Sequence, residues 1–217
     1  MKRNLKILCI ASLLFIMVFS LAGCGKEENT QQPQQNTENT ETSENTESNF
    51  SRGEWIENQY VNDFAKIKFN LPQDWVKATD EEIAELMNAG TELLNDEQQQ
   101  LAELSEGNTV YGMAANNPST GANIMVTIEK PVLTVTPEYY LTSVKQQLER
   151  VETISYEVSE PTTAQIAGQE YETLTATVAD YEIEQYYYVK AEGDYIIGII
   201  ITTTAEGQLE EIINCFE

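Results

Sequence analysis

The feature that most constrains the fold is the stretch "YIIGIIITTT", residues 195–204. Residues 196–201 comprise five isoleucines and one glycine, without the polar alternation of a half-exposed strand. An apolar, β-branched run of this kind predicts a central strand that is covered on both faces. The chain is therefore expected to pack other elements on either side of this strand.

Other segments with β-branched or alternating residues predict the strands of the same sheet. We expect one strand from each of the following stretches: "EWIENQYVN" (54–62), "FAKIKFNL" (64–71), "TVYGMAANN" (109–117), "ANIMVTIEK" (122–130), "TTAQIAG" (162–168), "YETLTATVA" (171–179) and "IEQYYYVKA" (183–191). Turn residues join neighbouring strands at 116–121, at 168–169 and at 193–194. Pro72 excludes the segment around it from a central strand.

Three segments predict helices. Thr79 and Glu82 form a capping-box pattern, which begins one or two helices within 80–105. Thr136-Pro137 begins a second helix, whose apolar stripe consists of Tyr140, Val144, Leu148 and Val151. A closing helix is expected over 206–216. The order of these elements predicts a single α+β domain over 50–217, with a mostly antiparallel sheet flanked by helices.

The chain has 36 acidic and 12 basic residues, a formal net charge of −24, and no histidine. The charge repels phosphate backbones and anionic headgroups, so nucleic acid is not an expected partner. A high negative charge also simply keeps an exported protein soluble. The absence of histidine excludes Ser-His-Asp and Cys-His nucleophiles, a histidine general base and histidine-ligated zinc.

Residues 1–23 have the three parts of a secretory signal peptide. A cationic start over 1–6 precedes an almost wholly apolar run over 7–22, which ends in small residues. This run is somewhat short for a membrane-spanning helix, which needs about 20 apolar residues. The segment is therefore expected to direct export and then to be removed.

The end of the run, Leu21-Ala22-Gly23-Cys24, resembles the lipobox of bacterial lipoproteins. The resemblance implies that Cys24 becomes the mature N-terminus and carries lipid. Two or more acyl chains, such as palmitate, hold a protein firmly on a membrane, whereas a single chain binds only marginally. We therefore expect a lipid anchor on the extracytoplasmic face of the cell membrane. The alternative is an uncleaved signal anchor in which Cys24 is incidental.

This processing would leave Cys215 as the one free thiol, because Cys9 leaves with the signal peptide and Cys24 carries lipid. Cys215 is expected to be a small, partly buried hydrophobic residue, and a reactive thiol is the alternative. Residues 25–49 contain no aliphatic or aromatic side chain and repeat "NTE" three times. Such a segment cannot form a core. With Cys24, it is expected to be a disordered acidic linker that holds the domain off the bilayer.

Candidate sites within 50–217 are few. Tyr186, Tyr187 and Tyr188 form the most unusual local feature, and on a strand the middle ring points opposite to its neighbours. An exposed tyrosine stripe would suit a peptide, a glycan or a protein partner, while ordinary strand packing is the alternative. The acidic clusters at 80–85 and 96–97 lie at predicted helix starts and lack the glycine-containing loop of a calcium site. No catalytic residue, metal ligand or cofactor site is predicted.

Several stretches together resemble uncharacterised lipoproteins of Gram-positive bacteria, which are similar in outline to the PsbP-like fold. They are "RGEWIENQYVNDFAKIKFNLPQDW", "YGMAANN" with "GANIMVTIEK", "AGQEYETLTATV" and "GDYIIGIIITTT". The resemblance implies an α/β/α sandwich and brings no catalytic residues. Since a fold does not fix a function, it does not imply a role in photosynthesis.

These observations favour a membrane-anchored lipoprotein whose domain binds or assembles with an envelope protein or a cell-wall component, without catalysis. The first alternative is a solute-binding lipoprotein of a transporter, although such proteins usually have two lobes. The second alternative is an envelope enzyme, which the missing histidine and the lack of a placed nucleophile disfavour.

Overall fold

The computed structural model describes residues 50–91, 109–131, 133–151, 154–178 and 181–217. Within these ranges, β-strands dominate. The strands are β1 (Glu54–Ile56), β2 (Gln59–Asn62), β3 (Ile67–Asn70), β4 (Val76–Lys77), β5 (Thr109–Asn116), β6 (Asn123–Glu129), β7 (Glu157–Val158), β8 (Thr162–Ile166), β9 (Gln169–Val178), β10 (Ile183–Glu192) and β11 (Tyr195–Thr203). The helices are α1 (Asp80–Thr91), α2 (Pro137–Leu148) and α3 (Gln208–Ile213).

The described strands form one large and one small sheet. The large sheet has eight strands in the order β4-β5-β6-β11-β10-β9-β7, and β8 also pairs with β9. Every pairing is antiparallel. The central position of β11 is confirmed, because Ile200 lies between Met125 of β6 and Tyr187 of β10. The isoleucine run is buried on both faces, as its lack of polar alternation predicted.

One face of the large sheet is covered by helices. The side chain of Thr136 accepts a hydrogen bond from the backbone N–H of Tyr139 and so caps α2, and Pro137 follows at its start. The predicted apolar stripe of α2 is confirmed, since Tyr140, Val144 and Leu148 are buried against this face. Val151, just beyond the helix, packs into the same cluster. We call this side of the sheet the helix face.

The first turn of α1 has the capping box that the sequence predicts. The N–H of Glu82 donates to Thr79 Oγ1 at 3.2 Å, and the N–H of Thr79 donates to Glu82 Oε2 at 2.8 Å. Ile83 joins the core of the helix face. The part of the predicted helical region beyond residue 91 lies outside the described residues. No helix in the described ranges is both long and apolar enough to cross a bilayer.

The opposite face of the large sheet is covered mainly by the small sheet, in the order β1-β2-β3, together with α3. Phe69 of β3 contacts Phe216, and the N–H of Asn70 donates to the carbonyl of Cys215 at 2.8 Å. The small sheet also approaches β5 closely, because a Cβ on Gly112 would lie 2.4 Å from the hydroxyl of Tyr60. We call this side the small-sheet face.

The α+β class and the mostly antiparallel sheet flanked by helices are confirmed, with three local corrections. "EWIENQYVN" is not one strand but the hairpin β1–β2, which turns at Glu57-Asn58 where Glu57 has a φ of 50°. The closing helix is shorter than predicted, since α3 spans Gln208–Ile213 and the following residues pair with β3 instead. The β8–β9 turn comprises Ala167 and Gly168, one residue earlier than expected.

Candidate functional site

Cys24 and the lipobox lie outside the described residues, as does the acidic linker through residue 49. Lipidation of Cys24 therefore stays a prediction from the sequence. The described chain begins at Phe50, whose ring stacks on Tyr195 with 5.2 Å between ring centroids. Phe64 contacts both rings, and Lys130 Nζ lies 5.5 Å from the centroid of Tyr195. Phe50, which follows the predicted linker, therefore lies at the Tyr195 end of β11.

The three consecutive tyrosines do not form one exposed face. Tyr187 is fully buried on the helix face, where its hydroxyl donates to Gln185 Oε1 at 3.2 Å. Tyr188 is 6% exposed and packs edge-on against Tyr171 on the small-sheet face. Tyr186 alone is half-buried, and its hydroxyl donates to Glu184 Oε2 at 2.7 Å. Tyr187 and Tyr188 are therefore packing residues of the strand, which is the alternative that the sequence left open.

Sequence reasoning missed Glu129, an acidic residue on the helix face. Glu129 is the last residue of β6 and is only 1% exposed. The hydroxyl of Tyr140, in the first half of α2, donates to Glu129 Oε2 at 2.8 Å. Loss of hydration raises the pKa of Glu129 to about 7, although the bond from Tyr140 opposes this rise. This carboxyl can therefore gain or lose a proton near neutral pH.

Residues with hydroxyl groups from β5 and β6 lie on the same face of the sheet as this carboxyl. Thr109 lies directly across from Glu129, and Tyr111 lies directly across from Thr127, all on the helix face. Among the described residues, the buried Oγ1 atoms of Thr109 and Thr127 have no hydrogen-bond partner. We call Thr109, Tyr111, Thr127, Glu129 and Tyr140 the Glu129 cluster. It can exchange a proton or hold a polar group.

The small-sheet face buries an ionisable group of the opposite sign, Lys190. Its Nζ donates to the carbonyl of Ala65 at 2.6 Å and to Oε1 of Gln169, and lies 5.4 Å from the centroid of Tyr171. Burial lowers the pKa of Lys190 to about 8, partly offset by nearby Glu192. The ammonium group joins the β2–β3 connection to the β8–β9 hairpin, which is a structural role.

The remaining chemistry of the described residues is modest. They contain no group of three acidic or cysteine side chains that could hold a metal ion. Cys215 is half-buried, and its thiol donates to the carbonyl of Glu211 at 3.3 Å. Burial raises the pKa of this thiol, which does not favour a reactive thiolate. Trp55 and Trp75 are partly buried at the boundary of the small-sheet core, and Tyr60 is fully buried within it.

Comparison with solved structures finds low similarity to a PsbP protein. The solution structure of cyanobacterial PsbP (CyanoP) from Synechocystis sp. PCC 6803 has 14% sequence identity and a TM-score of 0.43, over 73% of this chain and 90% of that chain. A crystal structure from Bacteroides thetaiotaomicron VPI-5482 has 12% identity and a TM-score of 0.36, over 74% of this chain and 47% of that chain. The chain thus spans about half the length of the Bacteroides protein.

No protein-family model matches the chain, and no curated protein matches it. A PsbP is thus among the solved structures to which this chain has low similarity. At these identities and TM-scores, the similarities carry no argument about function. The α+β class itself follows from the strand order and the helices described above.

Proposed function

We propose that this chain is a lipid-anchored protein of the extracytoplasmic membrane face, and that its α+β domain binds a protein or cell-wall partner without catalysis. The observation that carries the proposal is the motif Leu21-Ala22-Gly23-Cys24 at the end of an apolar export signal. Residues 25–49, which are mostly polar, would span about 25–30 Å as a flexible coil. That distance separates the domain from the bilayer.

The position of the tether supports a binding role. The linker meets the domain beside Tyr195, at the start of β11. Exposed Val76 lies at the opposite end of the large sheet. It pairs with Asn116, which pairs with Asn123, and Asn123 pairs with Thr202 near the end of β11. Ile56 of the β1–β2 hairpin is also exposed, and the adjacent Glu57 carbonyl accepts a hydrogen bond from Lys77. A tethered domain would present this remote, partly apolar end to a partner.

Metabolic labelling with a clickable fatty acid tests the anchor. We expect label on the wild-type protein and none on a Cys24→Ala variant, which should leave the membrane fraction. A Cys9→Ala variant is the matched control, because Cys9 lies within the signal and should not affect labelling. Label retained by Cys24→Ala would contradict the proposed anchor.

A pull-down from solubilised envelope tests the binding role. The full chain should enrich a partner at moderate salt over an acidic protein of matched net charge. Ile56→Ser should reduce this enrichment, whereas Leu133→Ser should not, since Leu133 is equally exposed but follows β6 near the tethered end. If the acidic control captures the same proteins, the interaction is merely electrostatic and the binding role fails.

One observation favours a second candidate, a solute-binding lipoprotein. The buried hydroxyls of Thr109 and Thr127 have no partner among the described residues and lie on the same face as Glu129, and a polar solute could satisfy them. In that case, thermal unfolding should shift upward with a small polar solute, and Thr127→Val should abolish the shift. If a panel of sugars, amino acids and short peptides produces no shift, this candidate is disfavoured.

A further inference from the structure

The contact between α2 and the large sheet includes an ionisable group at the end of β6. Glu129 belongs to β6 and is 1% exposed, while its hydrogen-bond donor Tyr140 belongs to α2 and is fully buried. The 2.8 Å bond therefore joins two elements that are separate in the chain. Tyr140 also belongs to the apolar stripe with Val144 and Leu148, so the side chain that binds Glu129 is one of those that pack α2 on the sheet.

No positive charge from the described elements faces Glu129. From β5 it meets Thr109, with Tyr111 one pair further along, and from β11 its register partner is Ile196. From α2 it meets the phenol of Tyr140, and from its own strand the neighbouring residue on the same face is Thr127. Among the described residues, the titratable groups around Glu129 are thus the phenols of Tyr140 and Tyr111.

The two lysines nearest to this contact in the chain have other partners. Lys130 follows Glu129 directly, but it is exposed and its Nζ lies over the ring of Tyr195. Lys145 of α2 pairs with Glu149 and Glu160. A carboxylate at Glu129 would therefore have a single phenol donor and no counter-ion among the described residues, an arrangement that favours the neutral acid.

We propose that the contact between α2 and the helix face is a pH-sensitive switch: protonated Glu129 keeps α2 docked, and ionised Glu129 loosens it. A neutral carboxyl accepts the bond from Tyr140 at little cost, whereas a carboxylate must be solvated. Solvation requires α2 to move away from β6, because α2 supplies Tyr140 and part of the apolar cover. Such a response would let a domain outside the cytoplasm react to the pH of its surroundings.

The size of the effect follows from proton linkage. The pKa of Glu129 is about 7 when α2 is docked and close to its ordinary value of 4.5 when water reaches the carboxyl. These two values make the equilibrium constant for opening rise by roughly tenfold between pH 6 and pH 8. The change is confined to the elements that cover Glu129.

Hydrogen–deuterium exchange of the purified full-length protein tests the proposal. After correction for intrinsic exchange rates, protection of the α2 amides should fall roughly tenfold from pH 6 to pH 8. In Glu129→Gln, which keeps an acceptor for Tyr140 but cannot ionise, protection should not depend on pH. The matched control is Glu184→Gln, because Glu184 also accepts a tyrosine hydroxyl but is exposed. This control should behave like the wild type.

Two results would overturn the switch. One is an equal pH dependence of α2 protection in wild type and Glu129→Gln. The other is a titration of the Glu129 carboxyl, followed by carbon-13 NMR in the wild-type protein, with a midpoint below about pH 5. The NMR measurement decides the matter even if Glu129→Gln does not fold, and a midpoint near 7 supports the switch. Neither measurement depends on the lipid anchor or on a binding partner.

Discussion

Among the described residues, each face of the large sheet buries one acidic or basic side chain, and the two side chains have different surroundings. On the helix face, Glu129 has one phenol donor and no counter-ion among the described residues. On the small-sheet face, Lys190 has the carbonyl of Ala65, the amide oxygen of Gln169 and the ring of Tyr171. Burial shifts each pKa toward the neutral form, to about 7 for Glu129 and about 8 for Lys190.

The difference lies in how well each charge is solvated by the protein. The ammonium of Lys190 has hydrogen-bond acceptors at hand, so it stays mostly protonated at pH 7 and fastens the small sheet to the large one. The carboxyl of Glu129 has too few donors to remain charged at no cost. The small-sheet face thus uses its buried charge structurally, whereas the helix face holds a group that titrates near neutral pH.

The largest expected effect comes from creating a cavity between α2 and the sheet. Leu141 is fully buried on α2 beside Tyr140. Leu141→Ala should lower the free energy of unfolding by about 2–5 kcal/mol, since it removes buried methyl groups and leaves a cavity. Urea unfolding followed by tryptophan fluorescence measures this loss. The neighbouring Tyr139→Ala, on the exposed side of α2, should change stability by less than about 0.5 kcal/mol.

The next effect is the change in folding stability with pH that Glu129 causes. Because the pKa of Glu129 is raised from 4.5 to about 7 in the folded state, the folded state binds more protons between these values. The stability that protonated Glu129 contributes is fully present below pH 4.5 and is lost as the pH rises through 7. The total loss is about 3 kcal/mol. Glu129→Gln should therefore be about 3 kcal/mol more stable than wild type at pH 8 and similar to it at pH 4. Equal stabilities at pH 8 would contradict this account.

On the small-sheet face, titration of Lys190 should change the stability of the fold with pH in the opposite direction. The pKa of Lys190 is lowered from 10.5 to about 8, so the folded state binds fewer protons in that window and stability should rise from about pH 8 to 10.5. Lys190→Met should remove this rise. At pH 7 it should also cost about 1–3 kcal/mol, because the Ala65 carbonyl loses its donor. Urea titrations at several pH values measure both effects, with the exposed Lys68→Met as control.

The smallest effect compares two tyrosine–glutamate pairs of similar length. Tyr140→Phe removes the donor of buried Glu129 and should cost about 1–2 kcal/mol at pH 5, while raising the carboxyl's titration midpoint. Tyr186→Phe removes the donor of exposed Glu184, which water replaces, so less than about 0.5 kcal/mol is expected. Thermal unfolding of both variants measures the two losses of stability. Equal losses would show that burial does not separate the two contacts.

Much of the fold follows from local sequence signals. The unbroken isoleucine run identifies the central strand β11, and the Thr136-Pro137 start with its apolar stripe identifies α2. The capping box at Thr79 and Glu82 likewise marks the first turn of α1. These features are readable because strand alternation, helix periodicity and end-capping depend on residues that are close together in the chain.

The hairpin at Glu57-Asn58 is less readable, because it lacks the glycine that usually marks a two-residue turn. The tyrosine run shows a similar limit. Its alternation gives opposite directions to neighbouring rings, but only the packing of both faces decides that Tyr187 and Tyr188 are buried while Tyr186 is half-exposed.

The sequence by itself determined the acidic, histidine-free composition, the predicted lipid attachment at Cys24 and the strand and helix pattern of the domain. Only the tertiary structure decided the position of Glu129. The alternation of β6 places Thr127 and Glu129 on a polar side that would ordinarily face water, and it gives no sign of a cover. Tyr140 from α2 closes over that side, since burial depends on which distant elements pack together and not on the local pattern.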